Sequence, residues 1–189
     1  MFIFVSGAAR SGKSAWAERA ALSLSRGIPR VYLATARVTD GGMLRRIQRH
    51  RASREGLGFR TVERPRGLSG APASIPEGSA VLLECLTHWA ANEMFREDGR
   101  VLDAREVRDE IYRAAMGLRV HAGHLLIVSN DVFSDGTVYD AMTEAYVRLL
   151  GELHVLLVRE ADAAVECAGG LARVAKGEAL LRLAGVSGD

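Results

Sequence analysis

Gly7-Ala8-Ala9-Arg10-Ser11-Gly12-Lys13-Ser14, directly after the apolar run Met1-Phe2-Ile3-Phe4-Val5, fits the pattern G-x-x-x-x-G-K-[ST] at every position. The run before it reads as a strand over residues 2–5 and the stretch after it as a helix over residues 13–26, which is the context a phosphate-binding loop requires. The glycines let backbone N–H groups turn toward phosphate oxygens. Lys13 supplies a point charge to the β- and γ-phosphates, the Ser14 hydroxyl is offered to Mg²⁺, and the helix presents its positive end to the anion. Of 25 basic residues only Lys13 and Lys176 are lysine, leaving 23 arginines. A chain that writes arginine nearly everywhere keeps an ammonium here. A chance match in a Gly/Ser loop would account for neither the flanking strand nor the flanking helix, so the chain is read as binding a nucleoside triphosphate.

Outward from the loop, short β-rich runs alternate with longer helical patterns. Strands are expected at residues 31–35, 59–63, 80–84, 124–129 and, as the last one, 163–167. Helices are expected at 43–54, 85–96, 103–121 with Asp103 as N-cap, and 139–160, where Tyr146, Leu149, Leu150 and Leu153 recur at helical spacing. Residues 64–79 hold three of the four prolines and three glycines and read as an irregular connection. This alternation predicts an α/β fold: one P-loop NTPase-type domain spanning 1–189, a mostly parallel sheet with helices on both faces.

Composition narrows the class. A hydrophobic fraction of 48% with only 6% aromatics predicts a core of Val, Leu, Ile and Ala, suited to strands covered on both sides. A net charge of +2 on 25% charged residues gives no reason to invoke nucleic acid or a membrane surface. Cys85 and Cys167 lie far apart, with no C-x-x-C or Cys/His ligand spacing. No segment reaches membrane-spanning length, and the opening apolar run lacks a basic flank and is too short for a signal peptide, so a cytoplasmic location is expected.

Candidate chemistry begins with Val81-Leu-Leu-Glu84. A carboxylate ending a parallel strand stands on the ligand side of the sheet, where Glu84 and Ser14 would hold Mg²⁺; the plain alternative is a strand-end acid. Asn130-Asp131 ends another strand and either lines the same cleft or caps the following loop. In the basic segment 43–54, Arg46, His50 and Arg54 fall at i, i+4 and i+8 beside an apolar stripe of Met43 and Ile47. Guanidiniums beside an imidazole favour its neutral, nucleophilic form and would neutralise a phosphate delivered to it. On spacing alone, a solvated basic helix with one incidental histidine is the preferred account. His88, His121, His124 and His154 form no triad with Asp and Ser and are read as structural. With no N-K-x-D motif, pattern alone does not choose between ATP and GTP.

Taken together, the phosphate loop, Ala34-Thr35-Ala36, Arg46-Ile47 with His50-Arg51, Thr61-Val62-Glu63, and Glu84-Cys85-Leu86-Thr87-x-Trp89 with Asn92 resemble one family. It is that of the bifunctional adenosylcobinamide kinase/adenosylcobinamide-phosphate guanylyltransferases of cobalamin biosynthesis. The resemblance continues more loosely through Ser129-Asn130-Asp131 and Ala161-Asp162 to Lys176-Gly177. It departs at Leu153-His154, where the family usually has Leu-Asn. The resemblance implies phosphorylation of adenosylcobinamide with ATP or GTP. Transfer of GMP from GTP onto adenosylcobinamide phosphate would follow, through a guanylylated histidine. Carried over, that histidine is His50, with Lys13 the second catalytic residue. The nucleotide would be held by Gly7, Ala8, Ala9, Arg10, Ser11, Gly12, Lys13, Ser14, Ala34, Thr35, Ala36, Arg51, Ala52, Ser53, Arg54, Glu63 and Glu84. The family is typically a homotrimer, with cytosolic members, and no nucleic-acid partner is expected for this chain.

Two rivals need different residues. Another small-metabolite P-loop kinase would use Lys13 and Glu84 and give His50 no covalent role. An RNA-binding or regulatory NTPase would use the arginines of 45–54 to track phosphates, although aromatic platforms for stacked bases are nearly absent there.

Overall fold

In the computed structural model, β1 (Phe2–Gly7) divides its side chains between two cores: Phe2 and Phe4 pack into one hydrophobic cluster, Ile3 and Val5 into the other. The same alternation splits Leu82 from Val81 and Leu83 in β4 (Ala80–Glu84), and Leu126 and Val128 from Leu125 and Ile127 in β5 (His124–Asn130). Strands apolar on both faces are strands covered on both faces, as the near-continuous Val/Leu/Ile runs imply. The structure describes residues 1–38, 41–133 and 136–186; for Met43, Arg46, Arg49, His50 and Ser53 it describes the backbone alone.

The remaining strands are β2 (Arg30–Ala34), β3 (Phe59–Glu63), β6 (Ala163–Ala168) and β7 (Leu171–Lys176). All seven form one sheet in the order β3-β2-β4-β5-β1-β6-β7, parallel except for the β6–β7 pair. α1 (Lys13–Leu24) and α6 (Glu178–Leu183) cover one face through Trp16, Ala17 and Leu181. α3 (Leu86–Met94), α4 (Ala104–His121) and α5 (Ala141–Glu160) cover the other through Trp89, Ile111 and Leu153. α2 (Gly41–Ser53) joins β2 to β3.

Local chemistry sets several boundaries. Asp103 caps α4 as expected, its Oδ1 accepting from the N–H groups of Arg105 and Glu106. Asp140 does the same for α5, so that helix begins at Ala141 instead of residue 139. α3 is shorter than 85–96, because Phe95 leaves the helix to bridge Val101. The connection 64–79 contains a 3-10 helix, Leu68–Ser74, whose buried Leu68 and Ala71 join the core under α4. The second lysine also has a reason to be an ammonium: Lys176 Nζ donates to the Val158 and Arg159 carbonyls at 2.9 Å each, closing the end of α5.

The expectation that 163–167 is the last strand is corrected. β7 turns back on β6 through Gly169-Gly170, whose φ values of 57° and 86° suit a two-residue hairpin, and α6 follows it.

Candidate functional site

Parallel pairing brings the strand ends into rows. Ala34 is in register with both Glu63 and Glu84, and Gly7 with Asn130. The phosphate loop, Ala34, Glu63, Glu84 and Asn130 therefore share the carboxyl edge of the sheet, where ligands of open α/β sheets bind.

The loop is folded for an anion. Gly12 holds φ 94° at the N-cap of α1, which favours glycine, and Arg10 is left-handed at φ 62°. A Cβ on Gly7 would overlap the Cys167 carbonyl oxygen, so β6 closes against the loop only because position 7 is glycine. No side chain caps α1 and no acid occupies its first turn. Lys13 is buried with Nζ 3.1 Å from the Ala8 carbonyl oxygen. The buried Ser11 Oγ has no hydrogen-bond partner among the described residues, so the loop retains an unsatisfied polar atom.

Glu84 stands at the foot of this loop. The Ser14 hydroxyl donates to its Oε1, and the Tyr32 hydroxyl donates to its Oε2 at 3.2 Å. Burial first, and Glu84 second, push the Tyr32 phenol far above its usual range, so it stays a donor. The Arg54 guanidinium carbon lies 3.4 Å from the Tyr32 ring centroid, and its Nη1 is 3.4 Å from Glu18 Oε1. Glu18 is raised above the usual carboxylate range by burial and then by Glu84, with Arg54 pulling it back. Arg54 itself lies just beyond the last residue of α2 and is buried.

Beside the loop opens a cavity of about 450 Å³. Lys13, Ala34, Ala36, Arg51, Arg54, Glu63 and Glu84 all border it, so seven of the expected nucleotide residues converge. α2 contributes Leu44, Ile47, Gln48 and Arg51, which is one helical face at i, i+3, i+4 and i+7. Arg51 and Glu63 pair with each other across its mouth. Thr35 is buried outside the wall: its Oγ1 donates to the Cys85 carbonyl at 2.8 Å and accepts from the Cys85 N–H at 2.7 Å. Asn92 Nδ2 donates to the Thr35 and Pro65 carbonyls, at 2.8 and 3.1 Å. These two motif residues tie β2, β4 and α3 together. Ala52 is exposed. His50 lies on α2, but its side chain and those of Arg46 and Ser53 fall outside the described residues.

Asn130 and Asp131 divide the two readings given to them: Asn130 borders the cavity, while Asp131 Oδ1 caps its loop by accepting from the Phe133 N–H at 3.1 Å. His121 and His154 are engaged in the body of the fold, at 2.7 Å from the Ile75 carbonyl oxygen and 2.7 Å from Ser129 Oγ, and His124 meets the N-terminal amine at 3.3 Å. His88, also read as structural, is placed differently from these three. It borders the cavity, its Nδ1 3.3 Å from Cys85 Sγ, whose thiol burial pushes up. Tyr32 is another wall residue absent from the expected set; an aromatic inside an apolar strand reads as core until its hydroxyl's partner is known.

The sequence model of the cobinamide kinase / cobinamide phosphate guanyltransferase family matches residues 3–174. The bifunctional adenosylcobalamin biosynthesis protein CobP of Pseudomonas aeruginosa is 34% identical over 175 residues, covering 92% of this chain and 96% of that protein. The bifunctional adenosylcobalamin biosynthesis protein CobU of Salmonella typhimurium is 30% identical over 172 residues, covering 86% of this chain and 92% of that one. The solved structure of the flagellar accessory protein FlaH from Methanocaldococcus jannaschii aligns with 100% of this chain and 81% of its own, at 12% identity and a TM-score of 0.49.

Proposed function

Because the chain belongs to the cobinamide kinase / cobinamide phosphate guanyltransferase family, we propose that it carries out both reactions at the cavity beside the phosphate loop. In the first, the aminopropanol hydroxyl of adenosylcobinamide attacks the γ-phosphorus of ATP or GTP, forming adenosylcobinamide phosphate and a nucleoside diphosphate. In the second, a nitrogen of His50 attacks the α-phosphorus of GTP and pyrophosphate leaves. The phosphate oxygen of adenosylcobinamide phosphate then displaces the histidine, giving adenosylcobinamide-GDP.

The observation that carries this reading is that one cavity joins the two sets of residues: Lys13 and Glu84 on one side, a face of the His50-bearing α2 on the other. Lys13 would bind the β- and γ-phosphates, the loop N–H groups would cradle them, and Arg51, Arg54 and Glu63 would border the nucleoside. The Ser14 hydroxyl and Glu84 carboxylate fit Mg²⁺, which takes one or two protein oxygens and completes its shell with phosphates and water. Bound there, Mg²⁺ neutralises charge on the transferring phosphoryl oxygens. Ser14 and Glu84 would hold it through the hydroxyl and carboxylate oxygens that already hydrogen-bond to each other.

The reading extends to a single working unit over residues 1–189, a cytosolic location and homotrimeric assembly, the last checked by light scattering. Among the described residues no helix is long and apolar enough to cross a membrane. The deciding experiment incubates the protein with adenosylcobinamide, GTP and Mg²⁺ and follows products by mass spectrometry. Adenosylcobinamide phosphate and then adenosylcobinamide-GDP with pyrophosphate are expected. Phosphate product alone would favour the ordinary-kinase reading, and neither product would overturn both.

A further inference from the structure

Glu84 and Glu18 both lie near the Arg54 guanidinium, and how that charge is divided is the unexplained feature of the site. A guanidinium bonded directly to Glu84 would form a strong charge-assisted pair and cancel the charge a divalent cation needs. Instead Arg54 stacks on the face of Tyr32, 3.4 Å from the ring centroid, and reaches Glu18 at 3.4 Å. Glu84 receives two neutral donors, the hydroxyls of Tyr32 and Ser14, one on each oxygen. Arg54 is also the residue that follows α2, so its seat on the ring fixes where that helix ends.

We propose that Tyr32 is a positioning residue for the metal-dependent chemistry of this site: its hydroxyl orients Glu84 while its ring holds Arg54 away from that carboxylate and ties down the end of α2. The inference rests on the Mg²⁺-nucleotide reading above. It assigns two separable jobs to one side chain, because the hydroxyl and the ring face can be removed independently. Tyr32→Phe removes the donor and keeps the seat for Arg54. Tyr32→Leu removes both, freeing Arg54 to move onto Glu84 and loosening the segment that carries residues 51–54.

The test measures equilibrium binding of a fluorescent, non-hydrolysable GTP analogue as Mg²⁺ is titrated, for wild type, Tyr32→Phe, Tyr32→Leu, Glu84→Gln and Tyr32→Phe/Glu84→Gln. Limited trypsin digestion then reports cleavage after Arg51 and Arg54. Tyr32→Phe is expected to raise the Mg²⁺ midpoint about 3- to 10-fold, the net scale of one ordinary hydrogen bond. Saturating Mg²⁺ should restore its binding, and its trypsin pattern should match wild type. The double variant should shift no further than Glu84→Gln alone, since the hydroxyl acts only through that carboxylate. Tyr32→Leu should shift the midpoint further than Tyr32→Phe and expose the end of α2 to trypsin. A Tyr32→Phe titration that overlays wild type, or additive shifts in the double variant, would overturn the proposal and leave Tyr32 a packing residue. Because the readout is binding, wild type that binds Mg²⁺-nucleotide but never modifies adenosylcobinamide would fail the functional reading and leave this one standing.

Discussion

The Ser14 hydroxyl donates to Oε1 of Glu84, joining the first turn of α1 to the last residue of β4 across 70 positions of sequence. A hydroxyl and a carboxylate brought together at the root of a phosphate loop make a two-oxygen seat for a cation. Glu84→Gln keeps the shape and an acceptor oxygen but removes the charge. The Mg²⁺ concentration needed for half-maximal phosphoryl transfer should rise at least about tenfold, with slower transfer at limiting metal. If the variant's Mg²⁺ titration matches wild type, Glu84 only finishes its strand.

Lys13 is buried, and its ammonium reaches back to the Ala8 carbonyl 3.1 Å away, inside the loop that would surround the phosphates. Lys13→Ala should lower turnover of both half-reactions by on the order of 10²–10³, the cost of losing one preorganised charge at the transition state. Lys13→Arg should not rescue it, because a planar fork does not fit a point-charge position. Circular dichroism should show both variants folded. A folded Lys13→Ala protein with wild-type turnover would remove the loop from the mechanism.

What the sequence revealed depended on how local each signal was. The phosphate loop, the apolar strands β1, β4 and β5, and the Asp103 cap are each specified by neighbours in sequence, and the structure has them where they were expected. β7 was missed because its side chains are mostly exposed, with Leu171 at 79%, so no hydrophobic period marks it. Its one clear signal was the Gly169-Gly170 pair. Tyr32 was missed for a different reason: its hydroxyl's partner is placed by the fold, Glu84 lying 52 positions away. Arg54 shows the limit of helical spacing: counted from Arg46 it continues the basic face. However, α2 stops at Ser53 and the next residue turns inward onto Tyr32 and Glu18.

His154 gives the fold a measurable acid sensitivity. Its ring sits edge-on between Phe4 and Phe133, with centroids 4.9 and 5.0 Å away, and Nε2 is 2.7 Å from Ser129 Oγ. Burial pushes its pKa down to about 4, against a smaller upward pull from Asp131. In the unfolded chain the same ring takes up its proton near 6.5. Its contribution to stability is therefore fully present above pH 6.5 and lost as pH falls from there through about 4, by about 3 kcal/mol at most. His154→Asn should flatten the fall in urea midpoint between pH 7 and pH 4 relative to wild type. Equal pH slopes for the two proteins would mean that other groups carry the acid sensitivity.

His50 separates a guanylyltransferase from every ordinary kinase. It lies in the last turn of α2, the helix whose Leu44, Ile47, Gln48 and Arg51 border the cavity beside the phosphate loop. Attack on the α-phosphorus needs a neutral imidazole and leaves GMP on a nitrogen, as a phosphoramidate with pyrophosphate released. Such an N–P bond is labile to acid and stable to base, the reverse of what a serine ester shows. Label from α-labelled GTP should therefore stay with the denatured protein and be released by acid, while label from γ-labelled GTP should not be retained. His50→Ala should lose the adduct and the guanylyl transfer yet keep phosphorylation of adenosylcobinamide, which needs the loop and the metal but no covalent histidine. Arg46→Ala should slow adduct formation without abolishing it, since a charge beside the reacting phosphate stabilises the transition state and forms no bond. Arg54→Ala should slow it too, by releasing the end of α2 from Tyr32 and Glu18, and unlike Arg46→Ala it should also raise trypsin cleavage after Arg51. Absence of any adduct on wild type, or an undiminished adduct on His50→Ala, would rule out the covalent histidine and leave a kinase built on Lys13, Ser14 and Glu84.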